Sequence, residues 1–80
     1  MSLNLRIVSP EKVEFVGQVD SVVVPGTSGE FEILTNHAPI ISTLDSGRIT
    51  FFDSDGEHEL KTMGGFVEVQ KNNVNICVEL

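Results

Sequence analysis

The residues of this chain best suited to chemistry are His37 and two carboxylates shortly before it, Glu30 and Glu32. Two glutamates two positions apart on a strand lie on one face about 6–7 Å from each other, a separation that paired catalytic carboxylates also show. A neighbouring histidine suggests a general base or a metal ligand. However, no second histidine or cysteine stands at a zinc-ligand spacing from His37. Because a solvated acidic strand explains the same residues, we expect neither catalysis nor a metal site.

The other candidates for chemistry lead to the same expectation. His58 stands between Glu57 and Glu59, a pattern typical of a solvent-exposed strand. Gly64-Gly65 precedes a strand pattern, so it lacks the helix N-terminus that cradles a phosphate. No nucleophile and base stand together with a supporting third group. The sequence therefore predicts a protein that is not an enzyme and that has no cofactor.

Length and charge limit the possible partners. Eighty residues indicate one domain, residues 1–80, which buries only about 60–65% of its unfolded surface, so a partner would add stability. A net charge of −7 and a pI near 4.5 argue against nucleic acid and against direct contact with anionic lipid. The single cysteine, Cys77, cannot form an internal disulfide, and neither end shows a leader or a long apolar run. We expect a soluble, cytosol-facing chain that is monomeric in isolation.

Short runs rich in Val, Ile and Phe recur between turn signals, and no segment shows helical periodicity. The predicted strands are Leu3–Val8, Val13–Val16, Gln18–Pro25, Glu30–Leu34, Ile40–Leu44, Arg48–Asp53, Glu57–Met63, Phe66–Gln70 and Val74–Leu80. Turn residues at 45–47, 54–56 and 71–73 each predict a hairpin. The fold class is all-β, a small two-sheet β-sandwich or flattened barrel of about nine to ten short strands.

Alternation along these strands predicts which side chains form the core, and it also reveals apolar residues on faces that should be polar. One parity is apolar in five of the strands, and this assigns the following side chains to the interior: Leu3, Leu5, Ile7, Val22, Val24, Ile49, Phe51, Val67, Val69, Val74, Ile76 and Val78. The opposite parity should be polar, yet it includes Val8, Val23, Phe52, Phe66 and Cys77. Local bulges could shift the register, edge residues could be covered by loops, or these side chains could cover a partner surface. A cluster among the five would favour the partner.

Residues 29–42 read Gly-Glu-Phe-Glu-Ile-Leu-Thr-Asn-His-Ala-Pro-Ile-Ile-Ser. This segment resembles the Gly-Glu-(Leu/Phe)-x-Ile … x-His-Ala-Pro-(Leu/Ile) signature of the ε subunit of bacterial F-type ATP synthases. The resemblance continues upstream in residues 5–12 with Phe15 and Gly17, and downstream in residues 47–49 and 64–69. It covers nearly the whole chain, in order and at the right intervals.

The resemblance implies a β-sandwich that clamps the rotor shaft, the γ subunit, to the membrane-embedded c-ring. Such a subunit couples proton-driven rotation to ATP synthesis without catalysing it, as a peripheral protein on the cytoplasmic face of the bacterial membrane. Two sets of residues are implied at its interfaces. Ser28, Gly29, Glu30 and Phe31 would face the polar loops of the c-ring, and Ser9, His37, Ala38, Pro39 and Ser42 would face γ.

The sequence departs from the family pattern in three places. Most bacterial members continue into a helical hairpin that brakes ATP hydrolysis, whereas this sequence stops at Leu80, and we expect a naturally short form without that inhibitory domain. Glu32 and Thr35 stand where Gly and Pro are common in the family.

The alternative function is a free-standing β-sandwich that binds a small ligand such as a sugar, but the chain lacks the Trp and Tyr platforms that such sites use.

Overall fold

The computed structural model describes residues 2–80, and every regular element in that range is a β-strand. The strands are β1 (Leu3–Val8), β2 (Val13–Val19), β3 (Ser21–Gly26), β4 (Gly29–Ile33), β5 (Ile40–Leu44), β6 (Gly47–Asp53), β7 (Gly56–Thr62), β8 (Gly64–Gln70) and β9 (Asn73–Glu79). The all-β prediction and the order of nine strands are confirmed. Within residues 2–80 no helix could span a membrane.

The strands form one continuous sheet that curls into two packed layers. The first layer has the strand order β2-β1-β9-β8-β5, and the second has the order β4-β3-β6-β7. A single residue pair, Gly26 with Leu44, joins the layers between β3 and β5. The fold is therefore the flattened-barrel form of the predicted sandwich, with a continuous sheet instead of two separate ones.

All strand pairs are antiparallel except β1 with β9, so the connections alternate between two ends of the molecule. The lower end carries residues 9–12, 27–28, 45–46 and 63, and the upper end carries residues 20, 34–39, 54–55 and 71–72. The tightest upper turn is Lys71-Asn72, where both residues have positive φ, 51° and 63°, as a type I′ hairpin requires. This alternation decides which loops share a surface.

The core lies between the layers and consists of side chains of one parity from the strands of both layers. Fifteen apolar residues are buried: Leu3, Leu5, Ile7, Val19, Val22, Val24, Ile33, Leu44, Ile49, Phe51, Val67, Val69, Val74, Ile76 and Val78. Phe15 reinforces it, with its ring centroid 4.5 Å from that of Phe51 in the other layer. The predicted alternation is confirmed, since each interior residue that it assigned is buried.

Two predictions about connections are wrong. Strand β2 does not end at Val16 but continues through Gly17, which pairs with Leu5, and the break before β3 falls at Asp20. A Cβ at position 17 would lie 3.0 Å from the Phe15 ring, so Gly17 lets that ring pack closely over the strand. Residues 45–47 close no hairpin, because β5 pairs with β8 and β6 pairs with β7. The hairpins predicted at 54–56 and 71–73 are present.

Candidate partner-binding surfaces

The β3–β4 turn projects the first set of predicted interface residues from the lower end. Gly26 pairs with Gly29, so Thr27 and Ser28 form the tip, and Ser28, Gly29 and Glu30 are all exposed. The turn is held in place because the Thr27 backbone N–H donates to the Thr43 carbonyl at 3.1 Å. The exposed Glu30 carboxylate therefore lies beside an anchored turn at the lower end of the molecule.

Phe31, the fourth residue of that set, has a different position. Its side chain is half-buried and packs against the core. The ring also covers Gly26, where an added Cβ would lie 2.8 Å from the Phe31 Cε1 atom. Phe31 thus supports the turn from inside, while Ser28, Gly29 and Glu30 present the surface.

Three of the five apolar residues at unexpected parity form a row on the outer face of the first layer, the face opposite the core. Val8 pairs with Cys77, and Cys77 pairs with Phe66, on the neighbouring strands β1, β9 and β8. We call these three residues the apolar row. They line a shallow pocket of about 300 Å³, and Phe66 is 47% exposed. Val23 and Phe52 lie apart from them in the second layer.

Ile41 extends this apolar surface, and the sequence analysis did not single it out. It lies on β5, paired with Glu68, and it is 75% exposed. Two residues further on, Thr43 pairs with Phe66, so Ile41 is a diagonal neighbour of the apolar row. The signal was available, because consecutive residues Ile40 and Ile41 point to opposite faces of a strand and one of them must point outward.

The loop from β4 to β5 lies at the upper end and is held by specific hydrogen bonds. The Asn36 backbone N–H donates to the Asn72 Oδ1 atom at 2.7 Å, and Asn36 has a φ of 64°. His37 Nδ1 donates to the Ala38 carbonyl oxygen at 2.7 Å, which leaves Nε2 available. Ala38 and Pro39 are exposed. The loop is an anchored corner that offers three consecutive residues for contact.

The hydroxyl groups of the two serines in the predicted γ-facing set already form hydrogen bonds within the domain. Ser9 Oγ donates to Glu14 Oε2 at 2.9 Å and accepts from the Lys12 backbone N–H at 3.3 Å, so it organises the β1–β2 turn. Ser42 pairs with the core residue Val67 and is half-buried, with its Oγ donating to the Thr43 carbonyl at 3.1 Å. Both hydroxyl groups therefore support local structure, and Ser42 lies on the core side of β5.

The γ-facing set is not one cluster but frames a surface. Ser9 lies at the lower end and His37 at the upper end, on opposite ends of the first layer. The apolar row and Ile41 lie between them. Ser9, His37, Ala38 and Pro39 therefore border the outer face of the first layer, which carries exposed apolar side chains, whereas Ser42 lies on the core side of β5.

His58 differs from its predicted solvent-exposed setting. Its ring stacks on Phe51 at a centroid distance of 5.2 Å, and its Nε2 atom donates to Asp53 Oδ1 at 2.9 Å. This hydrogen bond is the main cause of a pKa of Asp53 below its ordinary value, and the Asp55 backbone N–H, 2.8 Å from the same oxygen, adds to it. The pair fastens the upper end of the second layer. Among residues 2–80, no three metal-binding side chains cluster around it or elsewhere.

The lowered pKa of Asp53 gives a pH dependence with a definite sign. The folded state favours the carboxylate, so its contribution to stability is present above the unfolded pKa of about 3.9 and is lost as pH falls through the lower folded value. We expect Asp53→Asn to lower the melting temperature near neutral pH and to have a progressively smaller effect below about pH 4. Melting curves of both proteins between pH 2 and 7 would test this, and a pH-independent difference would contradict it.

Comparison with known proteins gives a family match over almost all of the sequence. The family described as "ATP synthase, Delta/Epsilon chain, beta-sandwich domain" matches residues 2–80. The ATP synthase epsilon chain of Leptospira borgpetersenii is 43% identical over 77 residues, which is 96% of this chain and 61% of the relative. The epsilon chain of Maricaulis maris is 44% identical over 77 residues, 96% of this chain and 58% of the relative.

Solved structures show the same fold at lower identity. A chain of the Euglena gracilis mitochondrial ATP synthase, solved with OSCP, F1 and the c-ring, matches with a TM-score of 0.90 at 19% identity, covering 96% of this chain and 50% of that one. A chain of the Tetrahymena thermophila central stalk and c-ring matches with a TM-score of 0.81 at 14% identity, covering 100% of this chain and 65% of that one. The present chain spans about 60% of the length of the two bacterial relatives.

Proposed function

Because this chain belongs to the β-sandwich family of ATP synthase delta/epsilon chains, we propose that it is a non-catalytic rotor subunit of an F-type ATP synthase. In this role it clamps the γ subunit to the c-ring, so that rotation driven by protons reaches the catalytic head. It works as a peripheral protein on the cytoplasmic face of a bacterial membrane. The observation that supports this role is that one small domain exposes two separate surfaces, the tip of the β3–β4 turn and the outer face of the first layer.

The surface proposed for the c-ring is the tip of the β3–β4 turn. Ser28, Gly29 and Glu30 are exposed at the lower end, and Phe31 anchors them to the core. Polar contacts at a rotating joint need a fixed geometry, which the Thr27–Thr43 hydrogen bonds supply. The Glu30 carboxylate pairs with basic groups in the polar loops of the c-ring.

The surface proposed for γ is the outer face of the first layer. Ile41 and Phe66 supply the apolar centre, since large exposed apolar side chains of this kind mark protein contacts. His37, Ala38 and Pro39 form its upper rim and Ser9 its lower rim, while Ser42 supports the face from the core side of β5. An apolar centre with a polar rim is the usual composition of a specific interface.

A charge reversal at Glu30 tests the c-ring contact. We expect Glu30→Lys to weaken the coupling between proton flow and ATP synthesis, because a lysine repels the basic loop groups that the carboxylate attracts. The melting temperature should move by a degree or two at most, because exposed substitutions change stability by less than about 0.5 kcal/mol. ATP-driven proton pumping in membrane vesicles measures the coupling.

The matched control is Glu57→Lys, which changes the net charge equally at the upper end of the fold. Coupling should be normal in this variant. If Glu30→Lys also left coupling unchanged in a fully assembled synthase, the β3–β4 turn would not be the c-ring contact.

A further inference from the structure

The side-chain amides of this protein are gathered at one end. The sequence contains seven Asn and Gln residues, and all seven lie on the upper half of the molecule. Asn36 and Asn72 hold the β4–β5 loop, as described above. The other five, which we call the amide patch, share the outer face of the first layer: Asn4, Gln18, Gln70, Asn73 and Asn75.

The amide patch is an ordered array across four strands. Gln18 pairs with Asn4, Asn4 with Asn73, and Asn73 with Gln70. Neighbouring side chains in such a row are about 4.8 Å apart, so the row extends for about 14 Å. Together with Asn75 it lines an open groove of about 650 Å³.

Most of the hydrogen-bonding capacity of this patch is unused within the fold. Asn4 Nδ2 donates to Asn73 Oδ1 at 3.1 Å, and Gln18 Oε1 accepts from Ser2. Over residues 2–80, neither Gln70 nor Asn75 makes a side-chain hydrogen bond. Asparagine is disfavoured in strands, so strand propensity does not explain its repeated presence here. The free donors and acceptors are available to a polar partner.

The charge of the groove is opposite to that of the whole protein. The chain has a net charge of −7, whereas the groove is lined by two cations, Arg6 and Lys71, and one carboxylate, Glu68. Neither cation lies within ion-pair distance of a carboxylate in residues 2–80. A partner segment with carboxylate side chains would find complementary charge in this groove.

From this array we infer that the amide patch, with Arg6 and Lys71, is a second, polar half of the γ-binding surface, and that it receives a segment of γ bearing carboxylate and hydroxyl side chains. The inference rests on the proposed function. The two halves are continuous, because Glu68 lines the groove and pairs with Ile41. Asn72 also connects the patch to the His37 loop. The apolar half supplies affinity, and the hydrogen-bonding half fixes the orientation of γ.

A set of charge-matched variants tests this inference in binding of the full chain to the γ subunit of its own synthase, measured by titration calorimetry. The variant Arg6→Glu with Lys71→Glu reverses both groove cations, and its control, Arg48→Glu with Lys61→Glu, makes the same change on exposed residues of the second layer. We expect the groove variant to bind at least tenfold more weakly and the control to bind within about twofold of the native chain.

A second pair tests the amides without changing charge. Asn75→Val suits an exposed strand and should weaken binding roughly three- to tenfold by removing hydrogen bonds, whereas Thr50→Val, on the outer face of the second layer, should have no effect. Equal binding by the native chain and both groove variants would overturn the inference but leave the proposed function intact. Failure of the native chain itself to bind γ would instead count against the proposed function. Groove variants that changed only self-association would identify a second copy of the chain as the occupant and also overturn the inference.

Discussion

Gly65→Ala should destabilise this domain by about 3 kcal/mol or more, enough to lower the melting temperature of an 80-residue protein by roughly 10–20 °C. Gly65 has a φ of 141°, in the region that favours glycine, and it lies near the start of β8, which is an interior strand between β5 and β9. An added Cβ would collide with the Cys77 carbonyl oxygen and lie 3.1 Å from the Val78 Cα atom. Backbone atoms cannot move aside as a flexible side chain can.

Gly56→Ala is the matched control, and it distinguishes the steric clash of an added Cβ from the strain of a positive φ. Gly56 also has a positive φ, 113°, but a Cβ there would meet nothing within 4 Å. Gly56→Ala should therefore cost only about 1 kcal/mol. Thermal unfolding followed by circular dichroism measures both variants. Equal melting temperatures for the two would show that the close approach of β8 and β9 at Gly65 is absent in solution.

Ile41→Asp should weaken binding to γ by at least about a hundredfold. A large, well-exposed side chain near the centre of an interface is the kind of residue that dominates binding energy, and replacing it with a carboxylate also buries a charge. Because Ile41 is 75% exposed in the free chain, its loss should cost the fold no more than about 1 kcal/mol. The effect on binding should therefore appear in a protein that still melts cooperatively.

Two further measurements support the Ile41 experiment. Thr50→Asp makes the corresponding change on the outer face of the second layer and should leave γ binding unchanged. The native thiol of Cys77, half-buried in the apolar row, serves as a reporter without any substitution. Its alkylation should slow when γ is bound. Unchanged affinity of Ile41→Asp together with unchanged Cys77 alkylation would remove the first layer from the interface.

The sequence predicted most of the fold because the signal was local. Period-two alternation identified all nine strands in order, and it assigned Leu3, Leu5 and Ile7 to the core, where they are fully buried. Turn chemistry predicted the hairpins at residues 54–56 and 71–73. These features depend on residues a few positions apart, which a single sequence displays directly.

The errors and omissions share the opposite cause, because each depends on contacts between distant segments. The pairing of β5 with β8, which removed the predicted hairpin at 45–47, joins residues more than twenty positions apart. The predicted break at Gly17 was wrong because Gly17 pairs with Leu5 of β1, twelve positions away. The amide patch appears only when β1 and β9 are adjacent, with Asn4 beside Asn73. Periodicity alone does not specify such pairings.

Site-directed cross-linking in the assembled ATP synthase tests the central claim, that one small domain connects γ to the c-ring, most directly. A Cys77→Ser background would carry a single new cysteine either at Glu30 or at Ile41, each labelled with a photoactivatable maleimide and identified by mass spectrometry of the products. We expect position 30 to link to a loop of the c subunit and position 41 to link to γ. Links from both positions to the same subunit, or to neither in a complex that contains the chain, would contradict it.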